Sequence, residues 1–409
     1  MMYGDKALSS SSPGWLENLA RRAVINHLRR LPRGGVTLHE PNGEKVVIGE
    51  GDAQIRINAW SSYTAMMTGG SLGAGEAYMA GAWDSPDLVA VIRYFAANVE
   101  TMQAMERGPA MIAKPLLKML HAMNRNSVPG SRRNIAAHYD LGNEFFGLFL
   151  DPTMMYSAAI YPAPGGDLNT AAVHKLDLIC QRLQLCHGQH LLEIGTGWGG
   201  LALHAARHYG VRVTTTTISR QQARYAREQV RDAGLEDRIE VLERDYRELQ
   251  GQYDRIVSVE MIEAVGHQYL NSYFKVLNER LKPDGLLLLQ AITVPDQRYD
   301  YARDNVDFIK RYIFPGGFLP SVSVMCAGLR RHTRLVPLAL NDIGEHYART
   351  VEHWRERFLQ ALPRVRELGF DERFCRMWDY YLCYCQGAFM ERAISTVHLM
   401  AAGPDYRQA

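Results

Sequence analysis

From residue 168 onward, short apolar runs alternate with stretches whose apolar positions recur every three to four residues, a pattern that predicts strands interleaved with helices. Helices are expected over 170–185, 199–209, 219–233 and 268–281, and strands over 190–194, 211–217, 239–242, 254–259 and 285–292. Such alternation builds an α/β fold with a doubly wound, mostly parallel sheet. The chain before it reads differently. Trp15, Leu16, Leu19, Ala23, Val24, Leu28 and Leu31 keep helical spacing, while Arg21, Arg22, Arg29 and Arg30 fall largely on the other side, as in a basic amphipathic helix. Residues 36–57 alternate apolar and polar positions around Pro41, Asn42 and Gly43, which predicts short strands joined by a hairpin turn. Residues 68–84 are dense in glycine around Glu76 and read as a turn feeding a helix. Pro129 and Gly130 mark the expected boundary between a small N-terminal α+β domain, 1–130, and a larger domain, 131–409. Two domains suit a chain of 409 residues, and no repeat of about 20–50 residues points to a solenoid or propeller.

Hydrophobic residues at 47% and charged residues at 22% are ordinary for a folded globular chain. The longest strongly apolar stretch, Leu286 to Leu289, has the length of a buried strand, far from the roughly 18–20 residues that span a bilayer. The first 30 residues carry no secretory apolar region, and the six cysteines include no CxxC pair, so a reducing cytoplasmic setting is expected. Net charge is only +2, yet there are 38 Arg against 8 Lys. Arginine suits phosphate and carboxylate partners, and a GC-rich genome explains the same bias. Distribution says more. Between Thr101 and Arg133 stand Arg107, Lys114, Lys118, Arg125, Arg132 and Arg133 against Glu106, interleaved with Met111, Ile112, Leu116, Leu117, Met119 and Leu120. Together with the helix at 15–31 these segments read either as surface helices packed on their own domain or as an interfacial surface for anionic lipid headgroups.

Residues 190–200, H-L-L-E-I-G-T-G-W-G-G, join an apolar strand to a helix through Gly195, Gly197 and Gly199. Glycines let the backbone approach a ligand, and the helix start offers free amides. A dinucleotide fingerprint would be G-x-G-x-x-G with a carboxylate about 20 residues later. Here the spacing is G-x-G-x-G, the acid Glu193 precedes it, and the next strand ends in Thr214–Thr217. This resembles the first motif of class I methyltransferases that use S-adenosylmethionine. A nicotinamide enzyme and a plain strand-to-helix turn are the alternatives.

Further motifs occur in order: H-Y-D-L-G-N-E-F-F from His138, L-D-P-T-M-M-Y-S from Leu150, T-I-S-R-Q-Q from Thr217, D-Y-R from Asp245 and D-R-I-V-S-V-E-M-I-E-A-V-G from Asp254. Y-I-F-P-G-G-F-L-P-S from Tyr312, W-R-E-R-F from Trp354 and Y-Y-L-C-Y-C-Q-G-A-F from Tyr380 follow. Over roughly residues 68–395 the chain resembles the cyclopropane-fatty-acyl-phospholipid synthase family, which is related to the mycolic acid methyltransferases. The resemblance implies a Rossmann-like methyltransferase sheet and an S-adenosylmethionine site lined by Tyr156, Ser157, Glu193, Gly195, Gly197, Gly199, Thr217, Gln222, Tyr246 and Arg247. It implies a small N-terminal lipid-binding or dimerisation domain, a phospholipid with unsaturated acyl chains as substrate, and a peripheral place on the inner face of a membrane, as a homodimer in one version.

In that family the sulfonium methyl is attacked by an acyl double bond, and loss of a proton from the new methyl closes a cyclopropane ring. A bicarbonate ion assists, held by a cysteine, a glutamate, a histidine, a backbone amide at an isoleucine and a tyrosine. By likeness Glu263, Ile292 and Tyr347 match three of these. The cysteine position is Ala158 and the histidine position is Gln290. Alanine offers no donor and a neutral amide carries no charge, so bicarbonate should bind weakly or not at all. Glu263, or Glu260, which stands where family members often have glycine, is then the candidate carboxylate base. Ring closure, a mid-chain methyl or methylene branch, and action on an already modified or furan-type acyl chain all stay open.

Other candidates read more plainly. Cys383 and Cys385, two apart on a helix, point apart, and His204 and His208 lack the adjacent Glu of a zinc-hydrolase motif, so no metal is expected. Cys385 matches a family cysteine near the active site and is given a packing role. His138, Tyr139 and Asp140 are either a lid over the acyl site or a capped, packed turn. Trp378, Tyr380, Tyr381, Tyr384 and Phe389 read as core rather than channel wall. Nucleic acid is not expected, since no reader motif accompanies the basic segments. A methyltransferase for a soluble small molecule, and a lipid-binding protein without catalysis, are the rival functions.

Overall fold

Leu286 to Leu289 lie in the middle of a sheet covered on both faces. Leu287 and Leu289 enter one apolar cluster with Leu192, Ile256 and Phe274, while Leu286 and Leu288 enter another with Leu191, Leu201 and Val257. A strand buried on both sides needs no polar alternation, hence the unbroken apolar run. The structure, a computed structural model, describes residues 12–105 and 141–407. Its contacts divide the chain into two units, one of residues 1–120, 307–309 and 359–393, the other of 121–306, 310–358 and 394–409. The boundary expected at 130, the basic residues 107–133 and the His138–Asp140 motif lie outside the described residues.

In the first unit, strands β1 (Gly35–His39), β2 (Lys45–Gly49), β3 (Ala53–Ile57) and β4 (Trp83–Asp84) form a sheet in the order β2-β1-β3-β4. The hairpin turn is present, with β1 and β2 antiparallel, while β1 and β3 are parallel. The glycine-dense segment corrects its reading as a turn. Most of it lies within helix Ser61–Met79, kinked where Gly70 takes φ 56°. Glycine is needed there for close packing: a Cβ on Gly73 would stand 2.1 Å from the Ala65 carbonyl oxygen, and one on Gly75 would stand 2.7 Å from Phe308. Helix Glu372–Met390 belongs to this unit too, and its buried Arg376 donates to the Tyr78 and Trp83 carbonyls at 2.6 and 3.0 Å. Trp378, Tyr380, Tyr381 and Phe389 are buried.

The basic helix spans Trp15–Leu28, and its buried residues are Ala20, Ile25 and Leu28. The expected stripe is thus only half used. Arg21 turns inward to pair with Glu40 at 2.7 Å, while Trp15 (80% exposed), Leu16 and Leu19 face outward beside exposed Arg22.

The second unit holds β5 (His190–Ile194), β6 (Arg212–Thr217), β7 (Ile239–Glu243), β8 (Tyr253–Val259), β9 (Leu281–Thr293), β10 (Val336–Asp342) and β11 (Ser395–Ala402), in the order β10-β11-β9-β8-β5-β6-β7. From β9 to β7 the strands are parallel, and β11 and β10 join antiparallel. The expected helices appear as Leu168–Arg182, Gly200–Tyr209, Arg220–Asp232 and Leu270–Arg280, the last preceded by a 3-10 turn. Parallel strands end on one edge. The loops after β5, β6, β8 and β9 therefore converge, the place where open α/β sheets bind ligands. Among the described residues no helix is long and apolar enough to cross a membrane.

Candidate active site

The first cluster grows from the end of β5. Gly195, Gly197 and Gly199 take φ 103°, 52° and 92°, conformations that side chains disfavour, and the helix begins at Gly200. Gly195 and Thr196 both donate backbone N–H groups to the Thr216 carbonyl at 3.0 Å, which ties the loop to β6. Glu193, 4% exposed, accepts from Thr215 Oγ1 at 2.6 Å, and burial pushes its carboxyl up to about 8. At the end of β6, Thr217 Oγ1 donates to Gln222 Oε1 at 3.0 Å, and Ser219 caps the helix that carries Gln222. After β7, Arg247 grips Asp245 with two bonds of 2.7 Å, and its guanidinium lies 5.3 Å from the Tyr246 ring centre. The buried Tyr246 hydroxyl has no partner among the described residues. Free amides at a helix start, a carboxyl set into the strand end and an aromatic ring beside them suit a ligand with an amino-acid end and a flat base. S-adenosylmethionine fits that set.

The second cluster centres on Glu260, the first residue after β8. Its φ of 48° is the left-handed region, unusual for a glutamate and natural for the glycine that the resemblance leads one to expect there. Three groups hold it there. Glu260 Oε1 accepts from the Ala158 backbone N–H at 2.9 Å and from Gln290 Nε2 at 2.8 Å, and Oε2 accepts from the Tyr347 hydroxyl at 2.7 Å. Ala158, Gln290 and Tyr347 occupy three of the positions that the resemblance gives to bicarbonate ligands. Their donors are taken up by a carboxylate of the chain itself, so the residues present do not fit that ion.

Glu263 and Ile292 complete the group: the Ile292 N–H donates to Glu263 Oε1 at 2.6 Å, and the buried Oε2 has no partner among the described residues. Burial, followed by the Glu260 charge, raises Glu263 to about 8, so it is protonated at pH 7. Glu260 is also raised by burial, against the opposing pull of its three hydrogen bonds and of Lys175. The pair therefore differs, with Glu263 the neutral acid and Glu260 the better-held anion.

Tyr156 and Ser157 precede Ala158 in the chain. The Tyr156 ring lies 5.2 Å from those of Phe146 and Trp354. Ser157 Oγ accepts from Lys175 Nζ at 2.7 Å. Lys175 is fully buried; burial lowers it to about 8, and Glu260, Asp151 and Glu193 all act to hold its charge. The sequence reading missed it, although it interrupts the apolar face of Leu168, Ala171, Ala172, Leu176 and Ile179 at helical spacing. It missed His398 likewise, a polar residue inside the apolar run of β11. All five expected catalytic residues, Glu260, Glu263, Gln290, Ile292 and Tyr347, lie together. Cys385 is on the helix Glu372–Met390 of the first unit.

Glu263 gives a testable linkage. A carboxyl raised from 4.5 to about 8 contributes stability that is complete below the lower value and lost as pH rises through the upper one. Glu263→Gln cannot ionise, so its melting temperature should gain on the parent's as pH rises from about 5 to about 8. A difference constant with pH would show that Glu263 ionises as an ordinary carboxylate.

Comparison with known proteins agrees with this geometry. Residues 127–399 match the family described as "Mycolic acid cyclopropane synthetase". The chain is 40% identical over 327 residues, 78% of its length and 76% of the relative's, to the tuberculostearic acid methyltransferase UfaA1 of Mycobacterium tuberculosis. It is 39% identical over 374 residues, 91% of its length and 90% of the relative's, to the cyclopropane-fatty-acyl-phospholipid synthase of Escherichia coli strain K12. The solved structure of mycolic acid cyclopropane synthase CmaA1 complexed with SAH and CTAB superposes with a TM-score of 0.61 at 29% identity, covering 66% of this chain and 98% of that one.

Proposed function

Since the chain belongs to the mycolic acid cyclopropane synthetase family of S-adenosylmethionine-dependent methyltransferases, we propose that it methylates the double bond of an unsaturated acyl chain in a membrane phospholipid, with Glu260 as the proton acceptor. The observation that carries this is the Glu260 carboxylate bonded to Ala158, Gln290 and Tyr347. S-adenosylmethionine supplies an electrophilic methyl group when bound. Glu193, the glycine loop, Thr217, Gln222, Tyr246 and Arg247 would hold it, and Tyr156 and Ser157 lead along the chain into Ala158, whose N–H bonds Glu260. Adding a methyl cation to an alkene leaves one positive charge on the acyl chain, which the loss of one proton discharges. Glu260 takes that proton. Its raised pKa brings a carboxylate closer to the range of an efficient base, and protonated Glu263 adds no competing anion.

Two products share this step. If the electrons of the broken C–H bond close onto the cationic carbon, a cyclopropane forms. If hydride first shifts from the methylated carbon to the cationic one, loss of a methyl proton leaves a methylene branch on the open chain. The name of the Escherichia coli relative supports the first, and the name of the 40% identical relative, a tuberculostearic acid methyltransferase, supports a branch, which a separate reductase would have to saturate. Exposed Trp15, Leu16 and Leu19 beside Arg22 support a peripheral place on an anionic membrane.

The test is incubation of the full chain with methyl-labelled S-adenosylmethionine and vesicles of monounsaturated phosphatidylglycerol or phosphatidylcholine, then mass spectrometry of the released fatty acids before and after ozonolysis. A gain of one CH2, faster on the anionic vesicles and slowed by salt, is expected. Ozone cleaves the methylene product and spares the ring. Label in a soluble acceptor alone, with none in lipid, would overturn the reading.

A further inference from the structure

Behind Glu260 runs a buried row of hydrogen bonds that reaches three further elements. Gln290 (β9) is 1% exposed and His398 (β11) is fully buried, and the two stand opposite each other in antiparallel register. His398 Nε2 lies 2.8 Å from Gln290 Oε1, and Arg182, at the end of helix Leu168–Arg182, meets His398 Nδ1 through Nη1. The polarity of this row has one solution. A guanidinium only donates, so Nδ1 is the acceptor and the imidazole proton sits on Nε2. Nε2–H then donates to Gln290 Oε1, which turns the amide NH2 toward Glu260 Oε1 and the Ala158 carbonyl, at 2.8 and 3.4 Å.

We infer that Arg182 and His398 are positioning residues for acyl-chain methylation, fixing through one imidazole tautomer the amide orientation by which Gln290 holds the Glu260 carboxylate. This rests on the reading of Glu260 as proton acceptor. Reversed, the amide would present Oε1 to a carboxylate oxygen, two acceptors facing each other, with no bond to hold Glu260 at its positive φ. Burial, then the Arg182 and Lys175 charges, push His398 down to about 3, so it stays neutral and the row does not reverse near neutral pH. The other charged or titratable groups acting on Glu260 are Tyr347 and Lys175, and Glu260 in turn raises its neighbour Glu263.

The Gln290 bond lowers the Glu260 pKa against the rise from burial. Without it that pKa climbs, and the acid limb of the kcat profile moves to higher pH. The experiment compares the full-length parent with His398→Leu, Arg182→Met and His398→Gln, on vesicles of monounsaturated phosphatidylglycerol, over a pH series, with S-adenosylmethionine affinity measured by calorimetry. His398→Leu should lower kcat at pH 7 by about tenfold, the scale of one lost charge-assisted hydrogen bond, and shift the acid limb upward with cofactor affinity unchanged. Arg182→Met, at a half-buried position, should shift the limb the same way. His398→Gln, whose amide restores a donor to Gln290, should recover much of the loss. In the parent, 15N-labelled histidine should give an Nε2–H, neutral signal for His398 from about pH 5 to about 8, identified by its loss in His398→Leu.

Wild-type pH profiles in both His398→Leu and Arg182→Met, or an Nδ1–H tautomer, would overturn the inference. If Glu260→Gln is as active as the parent, the base assignment fails even though the tautomer stands. If Glu260→Gln is inactive while the His398 and Arg182 variants keep the parental profile, only the positioning role fails.

Discussion

Glu260→Gln should reduce methyl transfer to lipid by about 10²- to 10⁴-fold, the range of a lost general base, while S-adenosylmethionine still binds. Gln keeps the length and one carbonyl acceptor, so the loop after β8 retains part of its anchoring, but an amide cannot accept the proton that the acyl chain must release. The other nearby carboxyl, Glu263, is a poor substitute: burial, the largest cause of its raised pKa, stays in the variant, and its Oε1 is taken up by the Ile292 N–H. Burying an amide in place of a carboxylate also removes a desolvation penalty, so the melting temperature of Glu260→Gln should not fall. Calorimetry with S-adenosylmethionine and a thermal scan separate this outcome from misfolding. A variant that binds cofactor, melts normally and still methylates lipid at the parental rate removes Glu260 from the chemistry.

Gly195→Val should abolish measurable S-adenosylmethionine binding, a loss of at least about a hundredfold. At φ 103° a β-branched residue is a genuine outlier, at about 1–3 kcal/mol for the backbone alone. A Cβ there already stands 3.3 Å from Met261 Cγ, and valine adds two methyls to that contact. Relief requires the loop to leave Thr216, to which the Gly195 and Thr196 amides are tied. The free amides at the start of the following helix then lose their aim. Calorimetric titration with S-adenosylmethionine checks this, and parental affinity would show that the glycine loop serves the turn and not the ligand.

Much of this was legible in the chain. The strand and helix alternation after residue 168 is carried by local periodicity, and the glycine loop by a backbone geometry that few residues adopt, so both could be read without tertiary knowledge. The expected site residues were found by motif, and they do converge, because parallel strands end on one edge. What could not be read depends on distance along the chain. Glu260 stood out as a glutamate in place of glycine, yet its hydrogen bonds reach residues 102, 30 and 87 positions away. The glycines of 68–84 look like a turn by composition, but Gly73 and Gly75 are small because helix packing leaves no room. Likewise nothing local tells that residues 359–393 pack with the N-terminal segment. Lys175 and His398 were visible as polar residues at apolar positions, a signal that points to buried function more often than composition does.

The proposal that Glu260 takes the place of a free ion has one direct measurement. Purified protein in buffer stripped of carbon dioxide is assayed for methyl transfer to unsaturated phospholipid, and bicarbonate is then titrated in. A rate that is full at the outset and unmoved by bicarbonate is expected if Glu260 accepts the proton. A rate near zero that rises and saturates with bicarbonate would contradict that assignment and return the role to the ion.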